Sequence, residues 1–368
     1  MKNWFEIDNV DELDSPSLVV FPDRVKENIR ILKEFVPDVT RLRPHVKTNK
    51  CAEVCQLMMD SGIQKFKAAT IAEAEMLATI GASDVLLAYQ PVGPRRFRLI
   101  QLIQKFPSTK FSCLIDNEVT AKELAAAANE QGLVVNIFLD LNVGMNRTGI
   151  TPEKALPLFM FCKSLTGISP IGLHAYDGHN RDADLGIRTV GADEGYARVE
   201  KLHHSILEQT GISAIIVTSG NTTISIHAKR KNVECSPGTF IFWDYGYHKL
   251  FTEQPFVFAA ILVTRIISKP DNEIICIDLC HKAVASENPL NNRIHFLNAP
   301  ELVPISHSEE HLMLKAGKGN TFKVGDVLYG VPFHICPTVA LHETLAVVEN
   351  SRVVATWNVV ARKRKISI

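Results

Sequence analysis

Basic and apolar residues alternate along the segment 41–48, whose sequence is RLRPHVKT. Side chains at every second position of a β-strand point to the same face, so one face of such a strand would carry four basic groups. These groups are Arg41, Arg43, His45 and Lys47. A bound anion would neutralise this face inside a protein, whereas an edge strand would turn it towards water. The spacing leaves both interpretations open.

A second group of reactive side chains occurs in the segment 172–179, GLHAYDGH. His174 and Tyr176 are two residues apart and would share one strand face. Gly178 allows a turn that would bring His179 back over the same end of the strand. Imidazoles in such a place can hold and transfer protons. An ordinary buried histidine remains the alternative for His174.

The segment 218–223, TSGNTT, follows an apolar run and contains no bulky side chain. Backbone amides and hydroxyls of this kind suit a bound phosphate. The residues that would contact the phosphate are Ser219, Gly220, Asn221 and Thr222. An ordinary turn between a strand and a helix is the alternative.

His334 and Cys336 form a further pair of possible ligands. If they lie on a strand, their i, i+2 spacing points both side chains the same way, and nitrogen with sulfur suits zinc better than magnesium. Two protein ligands would leave positions open for water or substrate, as in catalytic metal sites. A buried cysteine beside an unrelated histidine is the alternative.

The elements that must position these residues alternate between strand-like and helix-like segments from residue 41 to about 245, which predicts parallel strands joined by helices. Amphipathic, helix-like stretches include 71–80, 118–131 and 191–210. The candidate strands are 41–47, 66–70, 84–89, 110–115, 134–141, 168–176, 213–219 and 238–242. Eight such units predict a closed (β/α)8 TIM barrel.

The pattern changes after residue 250, where β-branched and aromatic runs are separated by Pro, Gly and Asn. These runs are 256–268, 273–279, 321–329 and 352–360. They predict a separate, C-terminal antiparallel β domain. The run Ser17–Phe21 is also β-like and could belong to either domain.

Composition excludes several classes of protein. The 368 residues include 40 basic and 40 acidic side chains, and 46% are hydrophobic, which indicates a globular protein and no nucleic-acid partner. The basic run 362–365 is interpreted as a solvated tail. The first residues lack the apolar stretch of a signal peptide and no membrane-spanning run is present, so we expect no membrane partner and a cytoplasmic location. Eight cysteines are too few for a disulfide framework.

Several of these segments carry a resemblance to a known family, and they occur in its order. They are 43–50, 140–149, 172–179, 218–223, 234–244 and 334–338. The chain resembles the fold-type III pyridoxal 5′-phosphate (PLP) enzymes of the D-threonine aldolase and D-serine dehydratase family, which share an alanine racemase-like barrel. Two positions depart from the family pattern, because Asn49 replaces a usual histidine and Phe240 replaces a usual tyrosine.

The resemblance implies a set of cofactor contacts. Lys47 would hold PLP as a Schiff base, Arg147 in a Gly-rich turn would reach its phenolic oxygen, and His174 would pack against its pyridine ring. The implied cofactor-binding residues are Lys47, Arg147, His174, Tyr176, Ser219, Gly220, Asn221 and Thr222. From the residues alone, Arg147 could equally be a surface arginine.

The resemblance also implies the reacting groups. Lys47 and His179 are the implied catalytic residues, with His179 placed where the aldolases keep a base for the β-hydroxyl of the substrate. His334 and Cys336 match the position of the metal pair of the family, so a divalent metal, Zn or Mn, is expected as a second cofactor.

The implied reaction is the cleavage of a D-β-hydroxy-α-amino acid to glycine and an aldehyde, as in D-threonine aldolase. The alternative is β-elimination to a 2-oxo acid and ammonia, as in D-serine dehydratase, with Lys47 taking the α-proton. The His-x-Cys pair favours the dehydratase and His179 the aldolase. An amino-acid racemase and a non-catalytic PLP carrier remain further alternatives.

The resemblance implies two domains and a homodimer that acts on a small D-amino acid. Residues 23–248 would form the PLP-binding barrel, and residues 1–22 with 249–368 the β domain that carries the metal pair. This division places Ser17–Phe21 with the C-terminal β domain.

Overall fold

The computed structural model describes residues 2–368, which fall into two compact units. The first, called the β unit, contains the residues up to Ile31 together with Thr48–Val54 and Thr239–Arg362. The second, called the barrel unit, contains Leu32–Lys47, Cys55–Gly238 and Lys363–Ile368. Each unit is described separately below.

The strands follow in chain order. They are β1 (Ser17–Val20), β2 (Lys65–Ala68), β3 (Asp84–Leu87), β4 (Lys110–Ile115), β5 (Val135–Asp140), β6 (Ile168–Ala175), β7 (Ile215–Thr218), β8 (Val233–Cys235), β9 (Ala260–Ser268), β10 (Ile274–Ile277), β11 (Ile294–Phe296), β12 (Val303–His307), β13 (Leu312–Lys315), β14 (Val327–Pro332), β15 (Thr344–Glu349) and β16 (Arg352–Asn358).

The α-helices lie between them. They are α1 (Pro22–Phe35), α2 (Ala52–Asp60), α3 (Ile71–Thr79), α4 (Pro94–Lys105), α5 (Glu118–Asn129), α6 (Pro152–Ser164), α7 (Leu185–Thr210), α8 (Ile224–His227), α9 (Tyr245–Leu250) and α10 (Ile335–Leu341). The predicted alternation of strands and helices between residues 41 and 245 is confirmed.

The barrel unit is built on one parallel sheet in which β2 to β8 pair in sequence order. Apolar side chains from different strands meet inside it, among them Leu86, Leu114, Phe138 and Val217. Because both faces of a parallel sheet are covered, its strands are mostly apolar and buried. The α/β fold class predicted from the sequence is confirmed.

The segment 42–46 lies between the two edge strands of this sheet, β8 and β2, and pairs with both. The amide of Arg43 donates to the carbonyl of Cys235 at 2.9 Å, and the amide of Lys67 donates to the carbonyl of Pro44 at 2.8 Å. Leu42 therefore pairs with β8 and His45 with β2. Pro44 has no amide hydrogen to donate, so this segment forms isolated β-bridges where an eighth strand of the barrel would lie.

The last predicted strand of the barrel was placed wrongly. Residues 239–241 form a 3-10 turn, and the pairing strand is the shorter β8. Pro237 and Gly238 end the ladder before the apolar run that suggested a strand. The aromatic side chains of that run, Phe240 and Phe242, are fully buried without lying in a strand.

The β unit contains a second sheet with the order β12-β13-β10-β9-β1-β15-β16, and β14 pairs with both β9 and β11. β1 runs antiparallel to β9, with Ser17 opposite Val263, and parallel to β15. The assignment of the run beginning at Ser17 to the C-terminal β domain is therefore confirmed, although one strand pair in that sheet is parallel. Apolar side chains such as Val19, Ile261 and Tyr329 pack on one side of this sheet.

The end of the chain returns to the barrel unit. The basic run 362–365 is exposed, as predicted for a solvated tail. Beyond it, the amides of Ser367 and Ile368 donate to the carboxylate of Glu75 at 3.2 and 3.3 Å. Across residues 2–368, none of the helices combines the length and apolar character needed to cross a bilayer.

Candidate active site

The barrel unit places Lys47 directly after the closing segment 42–46, where its side chain is half-buried. The predicted basic face is only partly present. Arg41 lies in a 3-10 turn and donates to backbone carbonyls, including that of Val233 at 3.1 Å. Arg43 is buried and is neutralised by Glu234 and Asp84, each at 2.6 Å, so no bound anion is needed for this residue.

A buried polar chain lies at the ends of β5 and β6. His174 Nδ1 is 2.8 Å from Asp140 Oδ1, and His174 Nε2 is 3.4 Å from Nζ of Lys67 in β2. Although burial raises it, the hydrogen bond and charge of His174 hold the pKa of Asp140 below its usual range. Asp140 is therefore ionised and fixes the orientation of the imidazole.

The ring of Tyr176 lies near two other predicted cofactor-binding residues, Arg147 and Gly220, and near Lys67. The guanidinium carbon of Arg147 lies 5.4 Å from the ring centroid and Lys67 Nζ lies 5.6 Å from it. A Cβ atom on Gly220 would come within 2.9 Å of the ring, so the loop after β7 packs directly against Tyr176. Only a residue without a side chain allows this approach.

His179 lies against the Gly-rich turn that follows β5. A Cβ atom on Gly144 would approach His179 Nε2 to 2.3 Å, and Gly144 has a φ of +136°. Glycine is therefore required here both for space and for backbone conformation. His179 therefore lies beside the turn that carries Arg147, and both side chains are exposed.

The loop 219–222 is buried and carries polar side chains. Asn221 Oδ1 accepts the amide hydrogen of Gly238 at 2.9 Å, which ties the loop to the residues after β8. Thr223 Oγ1 donates to Asp177, 2.8 Å away, and His227 lies at the same distance from the other carboxylate oxygen of Asp177.

Two buried hydroxyls of this region, Thr222 Oγ1 and Ser236 Oγ, have no hydrogen-bond partner among the residues that the structure describes. Buried hydroxyl groups are normally hydrogen-bonded, so a missing acceptor is indicated. A phosphate would supply acceptor oxygens to both hydroxyls and to nearby amides. The residues present therefore fit the phosphate of PLP.

In the β unit, His334 and Cys336 are not on a strand, so that interpretation of their spacing is wrong. His334 is the N-cap of α10 and Cys336 lies in its first turn, where the amide of Ile335 donates to Asp244 at 3.2 Å. The two side chains are nevertheless in hydrogen-bond contact. Pro337 is tolerated because the first turn of a helix has no amide partners to lose.

The surroundings of this pair favour positive charge. His334 Nδ1 is 2.5 Å from Glu287 Oε1, and Cys336 Sγ is 3.1 Å from Thr48 Oγ1. Although burial lowers it, the contacts with Cys336 and Glu287 and the charge of Asp244 raise the pKa of His334 to about 9. Within residues 2–368 no group of three or more His, Cys, Asp and Glu side chains forms a metal cage, so protein ligands alone would leave the coordination of a metal open.

Sequence reasoning missed four residues of these clusters: Lys67, Asp140, Asp177 and Glu287. Asp140 stands at the carboxyl end of a barrel strand, which is a recognisable signal for a functional position. Lys67 is a charged residue inside a buried strand, and this signal was overlooked. Nothing in the sequence around Glu287 indicates its contact with His334.

The chain is similar to known proteins over nearly its whole length. A D-threonine aldolase from Arthrobacter sp. is 25% identical over 363 residues, covering 96% of this chain and 94% of the relative. A D-threo-3-hydroxyaspartate dehydratase from Delftia sp. is 23% identical, covering 94% and 97%. The crystal structure of a D-threonine aldolase from Filomicrobium marinum superposes with a TM-score of 0.88 at 22% identity, covering 98% and 99% of the two chains.

Two family models match consecutive parts of the chain. Residues 259–348 match the putative serine dehydratase domain. Residues 20–246, more than half of the chain, match the alanine racemase N-terminal domain. The chain belongs to the family defined by the alanine racemase N-terminal domain.

Proposed function

We propose that this protein is a PLP- and divalent-metal-dependent lyase that cleaves D-β-hydroxy-α-amino acids in the manner of D-threonine aldolase. The observation that carries the cofactor assignment is the pair of buried hydroxyls, Thr222 and Ser236, that lack an acceptor beside the Gly220 loop. The aldolases among the full-length relatives support the reaction.

The barrel unit would hold the cofactor through residues of several strands. Lys47 would bind its aldehyde carbon, and the loop 219–222 with Ser236 would bind its phosphate. Arg147, His174 and Tyr176 would contact the ring and its substituents. PLP supplies a conjugated ring that accepts the electron pair of a broken bond at the α-carbon.

The residues of this chain would then decide which bond breaks. His179 Nε2 would take the proton of the β-hydroxyl, the Cα–Cβ bond would break, and the β-carbon would leave as an aldehyde. The α-carbon would take up a proton, which leaves glycine. His179 is exposed beside the Gly144 turn, so a substrate can reach it.

His334 and Cys336 would hold the divalent metal, Zn or Mn. A nitrogen and a sulfur donor in contact with each other suit such an ion, and Glu287 would orient the imidazole through Nδ1, as carboxylates commonly do for metal-binding histidines. The metal would polarise the β-oxygen of the substrate.

A second candidate is the dehydratase reaction, in which Lys47 removes the α-proton and the β-hydroxyl leaves, giving a 2-oxo acid and ammonia. The cysteine of the His334 and Cys336 pair favours it, because this pair resembles the dehydratase form. A full-length relative from Delftia sp. is a dehydratase.

We further propose a cytoplasmic homodimer with two domains, in which residues 23–248 bind PLP and residues 1–22 with 249–368 carry the metal pair. The two consecutive family matches support a division near residue 250. Analytical ultracentrifugation of the purified protein tests the dimer, which requires a mass close to twice 40.9 kDa.

Product analysis tests the reaction. The purified protein is mixed with D-threonine or D-serine, and glycine plus aldehyde is measured against 2-oxo acid plus ammonia. We expect glycine and acetaldehyde from D-threonine, and loss of this activity in EDTA that Zn²⁺ or Mn²⁺ restores. Pyruvate as the main product from D-serine would establish the dehydratase instead. The absence of products from both substrates would favour a racemase or a PLP carrier.

The Lys47→Ala variant tests the cofactor assignment. In the wild type, borohydride should bleach the visible absorption of bound PLP and leave its mass on the peptide that contains Lys47. Lys47→Ala should show neither, whereas Lys50→Ala, a change three residues away in the same motif, should show both. Cofactor mass on Lys50 or an unchanged spectrum in Lys47→Ala would overturn the assignment.

A further inference from the structure

Lys67 is a buried amine that the proposed reaction does not use. It lies in β2, is only 2% exposed, and has His174 Nε2 as its polar neighbour at 3.4 Å. A buried ammonium group is unfavourable unless it is paired with an anion. The carboxylate of Asp140 favours the charged form of Lys67, and it acts from the far side of the imidazole.

The hydrogen bonds show which atoms donate and which accept along the series Asp140, His174 and Lys67. Because Asp140 is ionised, it accepts a hydrogen from His174 Nδ1, and the tautomer assigned from this contact leaves a lone pair on Nε2. This lone pair faces Lys67 Nζ, which can donate to it. Asp140, His174 and Lys67 thus form a continuous path for one proton, named here the relay.

The groups around Lys67 are mostly positive. The closing segment contributes Arg43 and Lys47, with His45 paired to the Lys67 backbone, and the turn after β5 contributes Arg147. β5 contributes Asp140 and β6 contributes His174. The ring of Tyr176, the residue after β6, also lies near Lys67, and Leu86 is the residue opposite on β3.

This environment opposes a permanent charge on either basic group of the relay. Burial, followed by the charges of Lys47, Arg43 and Arg147, lowers the pKa of Lys67 to about 7, although Asp140 raises it. Burial and the charge of Lys67 also lower the pKa of His174. Lys67 and His174 therefore share one proton near neutral pH and do not both carry a charge.

We propose that Lys67 is a positioning residue of the active site, which shares one exchangeable proton with His174 and thereby sets the charge of the relay during the reaction. When the proton moves from Nζ to Nε2, Lys67 becomes neutral, His174 becomes the cation and Asp140 stays ionised. The net charge of the relay is zero while this proton is present and −1 after it leaves. The proposal rests on the proposed function only in assuming that PLP and substrate bind beside His174.

The relay should change the affinity for an anionic substrate. An amino acid carries a carboxylate, and a site whose charge falls from zero to −1 repels it more strongly. In the wild type we expect the KM for the substrate to rise about three- to tenfold between pH 6 and pH 8. A residue that only fills space would produce no such transition.

Two substitutions separate charge from packing. Lys67→Met keeps the length of the side chain and removes the proton, so the rise in KM should disappear. Lys67→Arg keeps a permanent charge and should also remove the rise, with KM held at its low-pH value. Lys110→Met, a change of an exposed lysine at the start of β4, should keep the wild-type profile. If Lys67→Met keeps the rise, the proposal is wrong.

A measurement that does not depend on activity completes the test. In protein with ¹⁵N- and ¹³C-labelled lysine, the Lys67 side-chain resonance is assigned by its loss in Lys67→Met and followed against pH. We expect a midpoint near pH 7, and a histidine resonance should shift with the same midpoint. A midpoint above pH 9 would overturn the proposal.

If Lys67→Met does not fold, Asp140→Asn provides a second test, because losing the carboxylate should move the midpoint to lower pH. Borohydride trapping on Lys47 is measured in every variant. Failure of trapping in the wild type would refute the proposed function, while the lysine titration would still decide for or against the relay.

Discussion

Arg43 and Lys67 are two buried cations of the barrel unit, and their surroundings differ in one respect. Arg43 is in direct contact with two carboxylates, which raise its pKa although burial lowers it. Lys67 has a histidine between itself and its carboxylate, and its pKa falls to about 7. Direct pairing fixes a charge, whereas pairing through an imidazole leaves the charge able to change at neutral pH.

The largest expected effect is a loss of stability when the permanent charge of Arg43 is removed. Arg43→Met removes a buried partner of Glu234 and of Asp84, and the largely buried Glu234 keeps only its contact with the half-buried Lys65 among the ion pairs of the described residues. Breaking a buried ion pair from one side costs about 3–5 kcal/mol. Urea denaturation should therefore show a loss of this size in the free energy of unfolding.

The exposed pair of Arg96 and Glu123 provides the control. Arg96→Met should lower the free energy of unfolding by less than about 1 kcal/mol, because pairs in water contribute little. Equal losses in the two variants would remove the distinction between Arg43 and a surface arginine.

Lys67→Met, in contrast, is expected to increase the free energy of unfolding. The unfolded chain holds the lysine proton up to about pH 10 and the folded chain only to about pH 7, so wild-type stability rises with pH between these values. The variant lacks this dependence. Without cofactor it should be more stable than the wild type by about 2–4 kcal/mol below pH 7, and the gain should shrink towards pH 10.

Denaturation of both proteins at pH 6, 8 and 10 measures this gain. A constant difference at all three values would show that the effect comes from packing and not from the proton. A loss of stability at pH 6 would contradict the comparison with Arg43, because Lys67 would then also be firmly paired.

The smallest change in the free energy of unfolding is expected at two neighbouring threonines. They differ in whether the side-chain hydroxyl has a hydrogen-bond partner among the described residues. Thr223 donates to buried Asp177, whereas the hydroxyl of Thr222 has no partner among residues 2–368. Without cofactor, Thr223→Val should lower the free energy of unfolding by about 1–2 kcal/mol and Thr222→Val by less than about 0.5 kcal/mol. Thr222→Val should instead weaken PLP binding about tenfold, measured by equilibrium dialysis.

The sequence predicted the fold well where local signals agree. Apolar runs between amphipathic stretches located β2 to β7, because these strands are buried on both faces. It failed for β8, which is only three residues long and lacks a strong pattern. The closing segment 42–46 was identified by alternating residue types, but Pro44 limits it to single bridges.

The site was predictable only in part. Strand periodicity predicted that His174 and Tyr176 share a face, and in the structure both rings lie near Lys67 Nζ. The hydroxyl-rich segment after β7 could be recognised from its small residue types. The role of Lys67 depends on His174, which is 107 residues away in the sequence. The position of Cys336 on a helix depends on Asp244, whose carboxylate accepts the first amide of α10. No local pattern contains such contacts.

The closing segment has a consequence for how the chain folds. Leu42 pairs with Cys235, and these residues come from nearly opposite ends of the sequence of the barrel unit. Contacts between such distant residues form late, because the intervening chain must be ordered first. Since Lys47 directly follows this segment, we expect the proposed link between Lys47 and PLP to form only in the final kinetic phase of refolding.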